Sequence, residues 1–264
     1  MIRTPMQLGS LSFTALYAII TEESIYARYC MKALKIILPL INILPESIIR
    51  FLGRTATGYL LGKYAELDVL GKEILTERES KPTIFIANHL SNIDGVVLNS
   101  LLKNNSVAFM AGIKLGKDPV TSFFLKSINH IPITPGSPDK NAIKSALRYL
   151  KDGGSIVIFP EGTRSRSGSL ISVKKGFILL VKLADVPVVP IALEGTEMVL
   201  PINDNDMGGE KLRRSKITVK VGEPFTLPSK AEFPADSDWE EMCADYSMRK
   251  IAAMLEPKYR GVYE

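Results

Sequence analysis

The chain has 264 residues, enough to bury a full hydrophobic core and suited to one domain with extensions. Hydrophobic residues make up 46% of the chain and charged residues 23%, which excludes a disordered or collagen-like protein. The net charge of +5 leaves nucleic acid and anionic membrane as possible partners. Cys30 and Cys243 lie far apart in sequence, so the chain predicts no disulfide framework and no metal site, and a reducing cytoplasm fits best.

Positive charge is concentrated in one segment. Residues 162–184 carry five basic side chains and no acidic one, whereas residues 231–246 carry six acids and no base. Nucleic-acid-binding segments usually combine such bases with exposed aromatic side chains, but Phe177 is the only aromatic residue in the basic segment. The pattern therefore argues against nucleic acid and favours a lipid surface.

The first part of the chain, residues 1–62, is predicted to be a helical segment that associates with a membrane. Its most apolar run, residues 34–44, is shorter than the roughly 20 residues that cross a bilayer. Residues 8–20 are also apolar, but no signal-peptide cleavage pattern follows them. Short apolar helices here could lie in the headgroup region, where five bases would meet anionic lipids: Arg28, Lys32, Lys35, Arg50 and Arg54. The alternative, that they pack on the domain's own core, stays open.

Apolar strands alternate with helical stretches from Glu66 onward, which predicts an α/β domain with a mostly parallel or mixed central sheet flanked by helices. Strands are expected near residues 66–70, 83–88, 106–111, 129–133, 155–159, 187–193 and 216–221. Helices are expected at Asn92–Leu102, Pro119–Lys126, Asp139–Lys151 and Lys174–Ala184, with a closing helix over Trp239–Leu255. This pattern assigns the α/β domain to residues 63–230 and a helical extension to residues 231–264.

His89 follows the second predicted strand, so it is expected at the carboxyl edge of the sheet, where open α/β sheets bind ligands. Asp94, five residues later, would lie in the first turn of a helix and could accept a hydrogen bond from the imidazole. Such a carboxylate fixes the tautomer and leaves the other ring nitrogen free to act as a general base. The alternative is structural: Ser91 and Asp94 fit a helix-capping pattern, and histidine could be an ordinary structural residue.

A second polar loop, Glu161-Gly162-Thr163-Arg164, follows the strand at residues 155–159. Gly162 permits close backbone approach, Thr163 offers a hydroxyl, and the guanidinium of Arg164 suits a phosphate. Glu161 is expected to hold Arg164 in position. The alternative is an ordinary loop stiffened by a Glu-Arg pair.

Together these segments resemble the glycerophospholipid acyltransferase family, most closely the bacterial 1-acylglycerol-3-phosphate acyltransferases. Residues 88–94 (NHLSNID) resemble the family's NHxxxxD block, and residues 159–165 (FPEGTRS) resemble its FPEGTRS block. Residues 186–191 (VPVVPI) resemble a later block of the family. The similarity runs from about Glu66 to Phe225, with the blocks in family order.

The resemblance implies transfer of a fatty acyl group from a thioester to the free hydroxyl of 1-acylglycerol-3-phosphate (lysophosphatidic acid), giving phosphatidic acid. It assigns catalysis to His89 and Asp94 and phosphate binding to Glu161, Gly162, Thr163, Arg164 and Lys114. No metal or bound cofactor is implied, because acyl-CoA or acyl carrier protein is a co-substrate. The alternatives are transfer to another lysolipid (lyso-aminolipid or glycolipid), an acyl thioesterase, and a catalytically silent lipid binder.

One block departs from the family pattern. Pro135 stands where the family usually has an arginine implicated in binding the acceptor's phosphate, so the identity of the acceptor is open. Lys114 could supply part of the missing charge, or it could be an ordinary surface lysine. His130, next to this block, is interpreted as structural. We expect a monotopic or peripheral enzyme on the cytoplasmic face of the membrane.

Overall fold

The computed structural model describes residues 44–113, 119–134, 139–202 and 210–264. The predicted apolar segment at residues 8–20, that at residues 34–44 except for Leu44, and also Lys114 and Pro135 lie outside these residues. Within the described ranges, no helix combines the length and hydropathy needed to cross a bilayer.

Seven strands form the sheet: β1 (Ala65–Leu70), β2 (Ile84–Ala87), β3 (Val107–Gly112), β4 (Asn129–Ile133), β5 (Ser155–Ile158), β6 (Val188–Glu194) and β7 (Ser215–Val221). The helices are α1 (Glu46–Tyr64), α2 (Lys72–Glu77), α3 (Ile93–Leu101), α4 (Pro119–Ser127), α5 (Lys140–Lys151), α6 (Gly176–Ala184), α7 (Thr196–Val199), α8 (Trp239–Ala252) and α9 (Pro257–Arg260). Short 3-10 turns cover Lys230–Glu232 and Gly261–Tyr263.

The strands are hydrogen-bonded in the order β1-β7-β6-β2-β5-β3-β4. The run β6-β2-β5-β3-β4 is parallel throughout, and the single antiparallel pairing joins β6 to β7. Strand β1 pairs parallel with β7 and completes the sheet. The predicted fold class, a single α/β domain with a mostly parallel sheet flanked by helices, is therefore confirmed.

The central strand β2 supplies both faces of the core, because neighbouring side chains in a strand point to opposite sides of the sheet. Ile84 and Ile86 pack in one cluster, with α5, α6 and α8. Phe85 and Ala87 pack in the other cluster, which includes residues of α2 and α3. All four side chains are fully buried. A strand covered on both faces needs apolar residues at every position, and the sequence of β2 meets that need.

Helix α1 packs one face on the domain and leaves another exposed. Ile49, Ala56 and Leu61 are buried, and Gly53 lies so close to Ser127 of α4 that an added Cβ would clash with it. On the outer face, Ile48 and Phe51 are exposed. The inner face of α1 therefore packs on the domain's own core, which was the alternative to membrane contact for this segment. The helix also runs across the predicted segment boundary at residue 62, and the division of the chain into three parts stays a prediction.

The order and register of the strands bring two loops together at the carboxyl edge of the sheet. Strands β2 and β5 are adjacent and parallel, and Ile86 is paired with Ile158. Three residues beyond each of these lie His89 and Glu161. Since parallel neighbours end at the same edge, the loops after β2 and β5 meet.

Candidate active site

The His89 loop (residues 88–92) places an imidazole against a buried carboxylate. His89 Nδ1 lies 2.8 Å from Asp94 Oδ2, and the Asp94 side chain is 0% exposed while that of His89 is 20% exposed. With the Nδ1 proton directed to the carboxylate, Nε2 is the unprotonated nitrogen that can accept a proton. The structure therefore brings together the two residues proposed for catalysis and fixes the tautomer that a general base needs.

Asp94 also organises the turn before α3. Its Oδ2 accepts the backbone N–H of Leu90 at 2.7 Å and that of Ser91 at 2.8 Å, in addition to the imidazole. Half of the predicted capping box forms in this way, but the hydroxyl of Ser91 instead donates to Leu200 O at 2.6 Å. One oxygen atom of Asp94 therefore makes both the contact to the imidazole and the contacts that shape the turn.

Two further residues of the matched blocks hold the imidazole and its loop in place. Phe159 stacks on His89 with ring centroids 4.1 Å apart and an angle of 19° between the planes. Asn88 is fully buried and bonds in both directions to Leu193 of β6: its Nδ2 donates to the carbonyl at 2.8 Å, and the N–H donates to Oδ1 at 2.7 Å. Sequence analysis included both residues in motifs but gave neither of them a role.

Glu161 connects the two loops through its carboxylate, and its role in phosphate binding stays a prediction. Its side chain is buried, Oε1 accepts the N–H of His89 at 2.7 Å, and Oε2 accepts the N–H of Ile171 at 3.0 Å. Burial raises the pKa of Glu161 to about 7, although both N–H bonds oppose that rise. Both carboxylate oxygens are thus bonded to the backbone in the core, whereas Gly162 and Thr163 of the same loop are exposed.

Arg164 is held by a residue that sequence analysis missed. Its Nη1 donates to Glu210 Oε1 at 2.7 Å, and Glu210 Oε2 accepts from Asn92 Nδ2 at 2.8 Å. The expectation that Glu161 positions Arg164 is therefore wrong. Glu210 carries no recognisable local signal, since it lies 46 residues beyond Arg164 and becomes its neighbour only in the folded chain.

The tip of the Arg164 loop (residues 159–165) faces the surface. Gly162 has a left-handed φ of +68°, and an added Cβ there would lie 3.2 Å from Lys174 Cδ. Gly162 and Thr163 are exposed, and the Arg164 side chain is 16% exposed. The N–H of Ser165 donates to His89 O at 2.7 Å, so the loop is attached to the His89 loop through its backbone. Gly162, Thr163 and Arg164 are thus accessible to a ligand.

His130 lies away from this edge. It pairs in register with Phe109, which is level with Val157 and Phe85, so it lies about four residues before the level of His89 rather than at the carboxyl edge. It lines a pocket of about 490 Å³ between α1, α4 and β4, together with Arg50 and Tyr149. Among the described residues, no group of histidine, cysteine and acidic side chains is arranged to hold a metal ion.

Comparison with known proteins agrees with the geometry. Residues 66–194 match the Acyltransferase family model. These residues form an acyltransferase-family domain. The match includes both loops and the strands that position them.

Two proteins named 1-acyl-sn-glycerol-3-phosphate acyltransferase are similar in sequence. The chloroplastic BAT2 from Brassica napus is 29% identical over 175 residues, which cover 66% of this chain and 48% of BAT2. The Bacillus subtilis protein is 25% identical over 181 residues, covering 69% of this chain and 79% of the relative. The matched part thus spans about half the length of BAT2 and most of the Bacillus protein.

The fold has a counterpart among crystal structures. The 1-acyl-sn-glycerophosphate (LPA) acyltransferase PlsC from Thermotoga maritima superimposes with a TM-score of 0.55, covering 92% of this chain and 87% of that one. The two share 23% sequence identity, so this similarity supports the fold of the acyltransferase-family domain rather than its substrates.

Proposed function

We propose that the protein transfers a fatty acyl group from an acyl thioester to the free hydroxyl of 1-acylglycerol-3-phosphate, giving phosphatidic acid for phospholipid synthesis. The observation that carries this proposal is the pair His89–Asp94 next to the accessible Arg164 at one edge of the sheet. The names of the two relatives support the same reaction, since both describe acylation of this acceptor.

In this reaction, His89 Nε2 accepts the proton of the acceptor hydroxyl as its oxygen attacks the thioester carbonyl. The new C–O bond forms, the C–S bond breaks, and the proton passes from the imidazolium to the departing thiolate. Asp94 stabilises the transient imidazolium across 2.8 Å, and stacking on Phe159 keeps the imidazole ring oriented toward Asp94. General base catalysis of this kind contributes about 10² to 10⁴ to the rate.

The acceptor's phosphate would bind at the Arg164 loop, through the guanidinium, the Thr163 hydroxyl and the backbone at Gly162. A planar guanidinium can give two parallel hydrogen bonds to a phosphate, and these bonds orient the glycerol as well as binding it. The proposal needs no metal and no bound cofactor, and acyl-CoA and acyl carrier protein are the two candidate donors.

We further propose that the protein works from the cytoplasmic face of the membrane as a monotopic or peripheral protein. Ile48 and Phe51 lie on the outer side of α1, and Leu44 lies just before the helix; the three follow one another at a spacing of three to four residues and are all exposed. Arg54, one turn farther, is exposed as well. An apolar stripe ending in a base suits the boundary between acyl chains and anionic headgroups.

Purified full-length protein tests the reaction when it is given acyl-CoA or acyl carrier protein with a panel of lysolipid acceptors. We expect phosphatidic acid from 1-acylglycerol-3-phosphate, with release of the thiol carrier in equal amount. Faster transfer to a lyso-aminolipid or glycolipid would replace the acceptor in the proposal. Release of free fatty acid at the same rate with and without acceptor would make the protein a thioesterase instead.

Sedimentation with vesicles tests the location. The double substitution Ile48→Ser and Phe51→Ser should reduce the fraction of protein bound to anionic vesicles, and Glu73→Gln on α2 serves as an exposed control. Deleting residues 1–60 is a poor test, because it would remove the buried residues Ile49 and Ala56. Unchanged vesicle binding in the folded double variant would argue against α1 as a membrane contact.

A further inference from the structure

A buried carboxylate outside both motifs joins the two loops of the site. Glu210 accepts Arg164 Nη1 on one oxygen at 2.7 Å and Asn92 Nδ2 on the other at 2.8 Å. Its side chain is only 4% exposed, so solvent screens its charge poorly. Arg164 belongs to the loop after β5 and Asn92 to the loop after β2, which places Glu210 between the catalytic and the binding halves of the site.

This contact changes the charge that a ligand meets. Paired with Glu210, the guanidinium of Arg164 forms a unit with no net charge. Within the described part of the chain, Nε and Nη2 of Arg164 have no hydrogen-bond partner, so the group can still donate to a ligand. A phosphate bound there would gain hydrogen bonds from Arg164 and at the same time be repelled by Glu210.

A single substitution can separate two roles of Glu210, the orientation of Arg164 and the reduction of its charge. An amide at position 210 keeps an oxygen that accepts from Arg164, and Asn92 can rotate its own amide to restore the second bond. Glu210→Gln therefore removes the negative charge while preserving the hydrogen bonds that aim the guanidinium. A residue with only a positioning role would tolerate this change without any gain in binding.

We propose that Glu210 sets the selectivity of the site for the charge of the acceptor headgroup, by neutralising Arg164 and thereby weakening the binding of a phosphate monoester. The proposal rests on the proposed function, because it takes Arg164 as the group that meets the acceptor. It makes Glu210 the residue that lets uncharged or weakly charged lysolipids compete for the same site.

The experiment uses two acceptors with the same acyl chain, 1-acylglycerol-3-phosphate and uncharged 1-acylglycerol. Equilibrium Kd values are measured by calorimetry below the micellar range, and KM values in the transfer assay. Glu210→Gln should lower Kd and KM for the phosphate acceptor about tenfold, as expected for unit charges roughly 6 Å apart in a partly exposed site. Both constants for the uncharged acceptor should change less than about twofold.

Two further variants test whether the gain in binding comes from Arg164. Asp238→Asn is the matched control: it removes the acidic partner of Lys175, another cation of the basic segment, and should leave both Kd values unchanged. Adding Arg164→Ala to Glu210→Gln should abolish the gain, because the gain acts through Arg164. A Kd for the phosphate acceptor that stays equal or rises in folded Glu210→Gln overturns the proposal. If the parent protein transfers no acyl group while Kd still falls in the variant, the proposed reaction fails and the role of Glu210 stands.

Discussion

The two loops at the carboxyl edge of the sheet are held in different ways. The His89 loop is anchored from the core: Asp94 and Asn88 are fully buried and together make five hydrogen bonds to the imidazole and the backbone. The Arg164 loop is anchored through Glu161 and Ser165, but its tip exposes Gly162 and Thr163, and among the described residues its guanidinium has one side-chain partner, Glu210.

This difference matches the tasks proposed for the loops. A general base must stay within hydrogen-bond reach of one proton, and small displacements cost large factors in rate. A loop that binds a headgroup can tolerate more freedom, because charge acts over a longer distance than a proton transfer does. Variants of the His89 loop should therefore act on kcat, and variants of the Arg164 loop on the acceptor's KM.

The largest effect is expected for His89→Ala. Loss of the base should lower kcat by about 10² to 10⁴, with little change in melting temperature, because the side chain is partly exposed and its backbone bonds remain. Stopped assays with saturating acceptor, together with circular dichroism melts, would check this. Wild-type turnover in the folded variant would remove His89 from the reaction.

A smaller effect is expected for Asp94→Asn. An amide oxygen at the position of Oδ2 can still accept these hydrogen bonds, but it cannot stabilise an imidazolium by charge, and an amide turned the other way favours the wrong tautomer. Losing a hydrogen bond to a charged group costs about 1.5 to 3 kcal/mol, so kcat should fall about ten- to a hundredfold. If kcat equals that of the parent, Asp94 only shapes the turn before α3.

Arg164→Ala should act mainly on the acceptor. Its KM for 1-acylglycerol-3-phosphate should rise about tenfold or more, since a charge-assisted pair is lost, while KM for the thioester changes little. Arg164→Lys should recover only part of the loss, because a point charge replaces a planar pair of donors. A defect confined to the thioester's KM would mean that Arg164 binds the donor instead.

The buried carboxyl group of Glu161, which connects the two loops, should make the stability of the protein depend on pH. Because the pKa of Glu161 is raised to about 7 from an ordinary 4.5, its stabilising contribution is fully present below pH 4.5 and is lost as pH rises through 7. The shift of 7 − 4.5 = 2.5 corresponds to about 3 kcal/mol. Urea unfolding between pH 5 and 8 should show this loss in the parent and a flatter dependence in Glu161→Gln. Parallel curves for the two proteins would contradict the raised pKa.

Much of the fold was predictable because its signals are local. All seven predicted strands and the four predicted helices between them are present, with ends shifted by one or two residues. The closing helix ends at Ala252 rather than Leu255, and a further short helix begins at Pro257. Apolar periodicity fixes the elements, whereas helix ends depend on contacts that periodicity does not contain.

For the site, the sequence by itself determined the pair His89–Asp94 and the exposed loop of Arg164, because a five-residue spacing across one turn and a Gly-containing loop after a strand are local features. Only the tertiary structure decided the partners of Glu161 and Arg164. The register of β2 against β5 puts His89 N–H, and not Arg164, in front of the Glu161 carboxylate, and Glu210 enters from a segment 46 residues away. The outer face of α1 is a similar case, since amphipathicity does not name what covers an apolar surface and only packing against α4 shows which side is buried.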